Sequence, residues 1–227
     1  MRSYSVRFFR VLIFAILLFG IASCKKATEP EGVQESRVHT RTAWSPDGRQ
    51  IAFTATIEGV RGIYVIDTSG TNLRRVHQGD AEGVAWSPDG RWLVFSQART
   101  IYKIGSSGDS LAQVTTRTPS IRPRWSPNGT RIAYVRGDEV NASIIVLNLQ
   151  MMRETDLLFL GNVPSWHPNG KEVVVLNSLP PIYGFYAVHD STLAVRELDS
   201  FVSPEQCDFA VLSPSGDAVL FVKKAPL

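Results

Sequence analysis

The sequence predicts an all-β fold: a β-propeller of four complete four-stranded blades plus an incomplete fifth, in an open or truncated ring. Three observations predict it. A five-residue phrase recurs: Trp44-Ser45-Pro46-Asp47-Gly48, Trp86-Ser87-Pro88-Asp89-Gly90, Trp125-Ser126-Pro127-Asn128-Gly129, Trp166-His167-Pro168-Asn169-Gly170 and a decayed Leu212-Ser213-Pro214-Ser215-Gly216. The copies lie 42, 39, 41 and 46 residues apart. Each is followed by apolar stretches at constant offsets. A fixed period of about 40 residues marks a repeat architecture, in which each unit buries its apolar faces only against its neighbours.

The elements follow in order. The phrase is a tight turn: Pro pre-sets φ, Asp or Asn suits the next position, and Gly takes positive φ. Its first residue, Trp in four copies, ends an inner strand. A second strand follows in register. Ile51, Leu93, Ile132, Val173 and Val219 lie seven residues after the start of the phrase, and Phe53, Phe95, Tyr134, Val175 and Phe221 lie nine after it. That i, i+2 pairing is one face of a strand. A third strand reads Ile63-Tyr64-Val65-Ile66, Ile101-Tyr102-Lys103-Ile104, Ile144-Ile145-Val146-Leu147 and Phe185-Tyr186-Ala187-Val188. A more polar fourth, solvated at the edge, begins near Leu73, Leu111, Met152 and Leu193. The fifth unit offers only an inner strand near Phe209–Leu212 and a second at Ala218–Val222. Val33–Thr40 is the segment placed to complete a last blade by ring closure. Otherwise the reading frame is truncated.

These repeats, of the WD type, resemble the propeller repeat of the TolB-like family over roughly residues 37–223. The residues that carry the resemblance are the Trp-Ser-Pro-Asp-Gly phrase, the apolar pair two apart and the Ile-Tyr-Val strand. The resemblance implies a periplasmic partner protein of the Tol–Pal envelope system. The same repeat occurs in propeller domains of prolyl-oligopeptidase-type and tricorn-type peptidases, so it is specific for fold and weak for function.

The N-terminus sets the expected compartment. Arg2, Arg7 and Arg10 precede an apolar run from Val11 to Ala22, too short for a comfortable membrane span, and a polar segment follows. This reads as a signal peptide over 1–23. The ending Ile21-Ala22-Ser23-Cys24 resembles a bacterial lipobox, which implies lipidation of Cys24. The alternatives are an ordinary signal peptide with an incidental Cys, or an uncleaved anchor. Residues 24–36 form a polar tether and 37–227 the propeller. Lys25 after the Cys leans towards the outer membrane. The whole chain has 24 Lys+Arg against 21 Asp+Glu, and three of those arginines fall in 1–23. The remainder is therefore neutral, and the basic balance does not argue for nucleic acid. With Cys24 acylated only Cys207 remains, so no internal disulfide forms. Cys207 reads as a small buried hydrophobe rather than a reactive thiol.

No catalytic constellation emerges. There is no G-x-S-x-G elbow, H-E-x-x-H, C-x-x-C or phosphate-cradling glycine loop. His39, His77, His167 and His189 are far apart, and His167 occupies the Ser slot of a turn. The Asp and Asn of the phrases read as turn chemistry rather than a calcium ring, and the repeat Trp as inter-blade core rather than ligand platforms. Function is expected on the variable loops. The outer strands read as too short and polar to compete. Arg117, Arg122 and Arg124 stand within eight residues, beside Pro119 and Pro123, leading into the third inner strand. Either they meet an acidic peptide or anionic glycan, or they are solvated and paired with Asp80, Glu82, Asp138 and Glu139. The expectation is a lipid-anchored, non-enzymatic module at the outer membrane facing the periplasm. It binds an envelope protein partner, without cofactor, metal or nucleic acid. The rivals are an accessory or gating propeller of the peptidase kind and a ligand-sensing lipoprotein.

Overall fold

The computed structural model describes residues 42–138, 142–160, 164–177, 183–201, 207–213 and 215–223. Cys24, the tether and the proposed closing segment Val33–Thr40 lie outside them. The described residues form eighteen strands. Blade one is β1 (Ala43–Trp44), β2 (Gln50–Ile57), β3 (Val60–Asp67) and β4 (Arg74–Gln78). Blade two is β5 (Ala81–Trp86), β6 (Trp92–Gln97), β7 (Thr100–Gly105) and β8 (Ala112–Gln113). Blade three is β9 (Ser120–Trp125), β10 (Arg131–Arg136), β11 (Ser143–Asn148) and β12 (Arg153–Leu160). Blade four is β13 (Ser165–Trp166), β14 (Glu172–Asn177), β15 (Tyr183–His189) and β16 (Val195–Phe201). A fifth, two-stranded sheet is β17 (Cys207–Leu212) and β18 (Val219–Lys223).

Each sheet is an antiparallel meander in chain order. The register is the one the spacing predicts. Trp44 pairs with Ile51, Trp86 with Leu93, Trp125 with Ile132, Trp166 with Val173 and Leu212 with Val219. Successive first strands, β1, β5, β9, β13 and β17, approach one another, which places them innermost.

The middle strands are apolar on both sides because each blade is sandwiched. Alternate residues then serve opposite neighbours. Ala52, Ile63 and Val65 of blade one pack with Trp86, Leu93, Phe95 and Ile104 of blade two. Val94 and Ile101, on the other face of blade two, pack with Ile132, Tyr134, Ile145 and Leu147 of blade three. Ala133, Ile144 and Val146 continue the series against Trp166, Val173, Val175 and Val188. Burying one such side chain contributes about 1.5–3 kcal/mol.

The turn works through its serine, a role the residue pattern alone does not reveal. Ser45 Oγ donates to Asp47 Oδ1 (2.6 Å) and accepts the Gln50 amide (2.9 Å), tying the turn to the strand that leaves it. Ser87 does the same with Asp89 and Trp92, and Ser126 with Asn128 and Arg131. The serine hydroxyl first, then a backbone amide, hold the Asp47 and Asp89 carboxyls below their usual range. In the fourth copy His167 Nδ1 accepts the Asn169 amide instead, and in the fifth Asp217 takes over as the acceptor for Ser213. The phrase glycines have φ between 67° and 79°, as the turn requires. They also seat one turn against the next, since a Cβ on Gly90, Gly129 or Gly170 would touch the proline of the preceding turn, Pro46, Pro88 or Pro127.

Two expectations need correction. Trp86 and Trp166 are core, each only 8% exposed, and their indole N–H groups donate to the carbonyls of Ala43 (3.0 Å) and Arg124 (3.1 Å) in the preceding blade. Trp44 is 62% exposed, because among the described residues no earlier blade lies against it. Trp125 is only half-buried, and its N–H, shut off from solvent, meets no acceptor. Nor are all outer strands short. The fourth strands of blades three and four run for eight and seven residues.

Candidate functional site

The site is built on blade three. Its inner strand β9 carries a bulge: two residues, Arg122 and Pro123, stand where the partner strand offers Tyr134 alone. Arg122 has φ +57°. In blade two the same slot, three residues before the phrase, is Gly83 with φ +66°. Gly takes this conformation freely, whereas a side chain there costs about 1–2 kcal/mol. A bulge re-aims its side chain and commonly marks a functional strand.

The three predicted arginines are divided. Arg122 and Arg124 sit on β9, half-buried, and both have partners. Arg124 donates to the carbonyl of Pro123 (2.8 Å) and its own carbonyl receives the indole of Trp166. Arg117 lies before the strand, exposed, with its carbonyl accepting Ser120 Oγ at 2.6 Å. It borders a recess of about 450 Å³ with Arg136, Ile145, Met152, Arg153, Glu154 and Asp156. Of the acids expected to neutralise the loop, Asp80 is engaged by Arg61 at 2.6 Å.

Sequence reasoning missed the inner wall of this recess. Tyr134 occupies an aromatic core slot, and its hydroxyl donates to Glu154 Oε1 at 2.6 Å. Arg136 reaches the same oxygen at 2.5 Å and also touches the Tyr134 hydroxyl. Burial raises the carboxyl pKa of Glu154, but the hydrogen bonds from Arg136 and Tyr134 and the nearby Arg117 outweigh it, and the net shift is downward. Burial first, and the Glu154 carboxylate second, push the Tyr134 phenol well above its ordinary value. A tyrosine where blades one and two place phenylalanine was the available clue, since a buried hydroxyl needs a partner. With Glu154 occupied by Arg136, the recess keeps the exposed Arg117, Met152, Arg153 and Asp156, and Leu158 is exposed further along β12. The recess thus combines exposed cations with an exposed apolar side chain.

The family model described as the TolB beta propeller domain matches residues 26–180, and the chain belongs to that family. The Tol-Pal system protein TolB of Ruthia magnifica is 31% identical over 64 residues, covering 26% of this chain and 15% of that protein. The crystal structure of TolB from Acinetobacter baumannii superposes with a TM-score of 0.61 at 25% identity, over 70% of this chain and 42% of that one. The putative TolB from Agrobacterium tumefaciens reaches 0.68 at 22% identity, over 82% and 69%. This chain thus spans less than half of the first two proteins. Enzymes share the fold as well: an oligogalacturonate lyase in complex with manganese superposes at 0.64 with 14% identity.

Proposed function

We propose that this chain is a non-enzymatic interaction module of the bacterial cell envelope. Lipid on Cys24 anchors it, facing the periplasm from the outer membrane, and blade three binds an acidic segment of a protein partner. One observation carries the reading: Arg122 is kept at positive φ on an inner strand where the neighbouring blade uses glycine. Such strain persists where the side chain is needed. The exposed Arg117 and Arg153, which share the recess with exposed Met152, support it with charge for steering and apolar area for retention. Membership of the TolB family supports a protein partner.

The test is crosslinking capture of the lipidated protein from its own membranes, at low and high salt. The wild type retains a partner at low salt and loses it as salt rises. Changing Arg117, Arg122 and Arg124 together to Ser slows association, with a thermal melt of the same variant to show that it is folded. Equal capture by both proteins at both salt levels would place the binding face elsewhere.

A further inference from the structure

The junction between blades two and three departs from its neighbours at one position. On the third strand, Val65 of blade one and Val146 of blade three are buried against the next blade. The same slot in blade two is Lys103. Its ammonium lies 4.7 Å from the centre of the Trp92 ring, and it forms no ion pair among the described residues. A cleft of about 440 Å³ lies beside it. Trp92 and Lys103 line it from blade two, Trp125 and Leu149 from blade three, and the adjoining turns at Pro88 and Pro127 line it as well.

This is also the junction at which the repeat's indole hydrogen bond is missing. Trp86 and Trp166 donate to the preceding blade, whereas the N–H of Trp125 has no acceptor. Asp89, which also lines the cleft, is paired with Arg91 at 3.0 Å and takes Ser87 Oγ and the Arg91 amide, while Asn128 Oδ1 takes Ser126 Oγ and Thr130. The cationic donor the cleft presents is the Lys103 ammonium, beside the rings of Trp92 and Trp125.

We propose that this cleft binds a small organic carboxylate with a flat apolar body. The carboxylate meets the Lys103 ammonium, and a turn of the Trp125 ring brings its N–H to the second oxygen. The body lies between the indoles and Leu149. Its volume falls in the range of small-ligand sites, and a charge-assisted bond to a partly buried ammonium is among the stronger polar contacts. The site is separate from the arginines of blade three, so it stands or falls independently of the partner.

The experiment is a titration of the isotope-labelled full chain in detergent, following the five indole N–H signals by NMR. The probes are 3-phenylpropionate, its neutral amide and inorganic phosphate. Trp92→Phe and Trp125→Phe assign the two relevant signals. The acid shifts both saturably at millimolar concentration while Trp44 stays still, and the amide does not. Lys103→Val restores the packing of the other junctions. It raises the melting temperature and weakens the acid by at least about tenfold. Indole signals that stay still with the acid, equal shifts by acid and amide, phosphate binding as strongly as the acid, or full affinity in Lys103→Val would each overturn the proposal.

Discussion

Arg131, on the second strand of blade three, meets the carboxylate of Asp190 in blade four, whose side chain is 4% exposed. The same guanidinium lies 5.6 Å from the centre of the Trp166 ring, and its NH2 group approaches the Gly170 carbonyl at 3.4 Å. One side chain thus ties blade three to the turn, the tryptophan and the outer hairpin of the next blade. Asp190→Ala should destabilise the protein by about 3 kcal/mol, since it strands a largely buried cation. Arg131→Met combined with Asp190→Leu should recover most of that loss. Denaturant unfolding of the single and double variants checks it, and additive losses would mean that the pair is not a clamp.

The repeat tryptophans should separate by burial. Trp86→Ala should cost about 3–5 kcal/mol, as buried aromatic truncations do. Trp44→Ala, at an exposed site, should stay within about 0.5 kcal/mol. Thermal melts of the two variants decide, and equal shifts would contradict the packing described.

Arg122→Gly should stabilise the fold by about 1 kcal/mol while weakening the partner, because the strain and the recognition reside in one residue. Melting and capture are measured on the same preparation. A variant that gains stability and keeps full binding would remove Arg122 from the interface.

Glu154 gives a pH signature. Its folded pKa lies below the ordinary carboxylate value of 4.5. Its contribution is therefore fully present above that value and is lost as pH falls through the folded one. The difference in stability between wild type and Glu154→Gln should be constant near neutrality and shrink below about pH 4.5. A difference that grows on acidification would reverse the assignment.

Cys24→Ser should abolish acyl labelling and move the protein from membrane to soluble fractions. Single chains hold only marginally, so the wild type should carry more than one. Unchanged partition of the variant would count against the anchor.

Strand order and register were legible because the phrase fixes a turn and the turn fixes the pairing, so the position of Leu93 or Ile132 follows from that of its tryptophan. Repeat identity did not determine environment. Trp44, Trp86 and Trp125 share one slot, yet their burial depends on what the preceding blade presents. The candidate site was legible only in part. Arg117, Arg122 and Arg124 stood out as a cluster in sequence, but the bulge at Arg122 and Pro123 sets the backbone that Arg122 adopts. Glu154 and Arg136 are eighteen residues apart and belong to different strands. Only the fold of blade three brings them to Tyr134.

The seating of one turn on the next, Gly90 over Pro46, Gly129 over Pro88 and Gly170 over Pro127, repeats one pattern at three successive junctions. A gene segment encoding one blade can then be duplicated or excised in frame, and the new junction inherits a fitting seam at that rim without compensating mutations. On that account the number of blades is a trait that in-frame duplication or loss can vary.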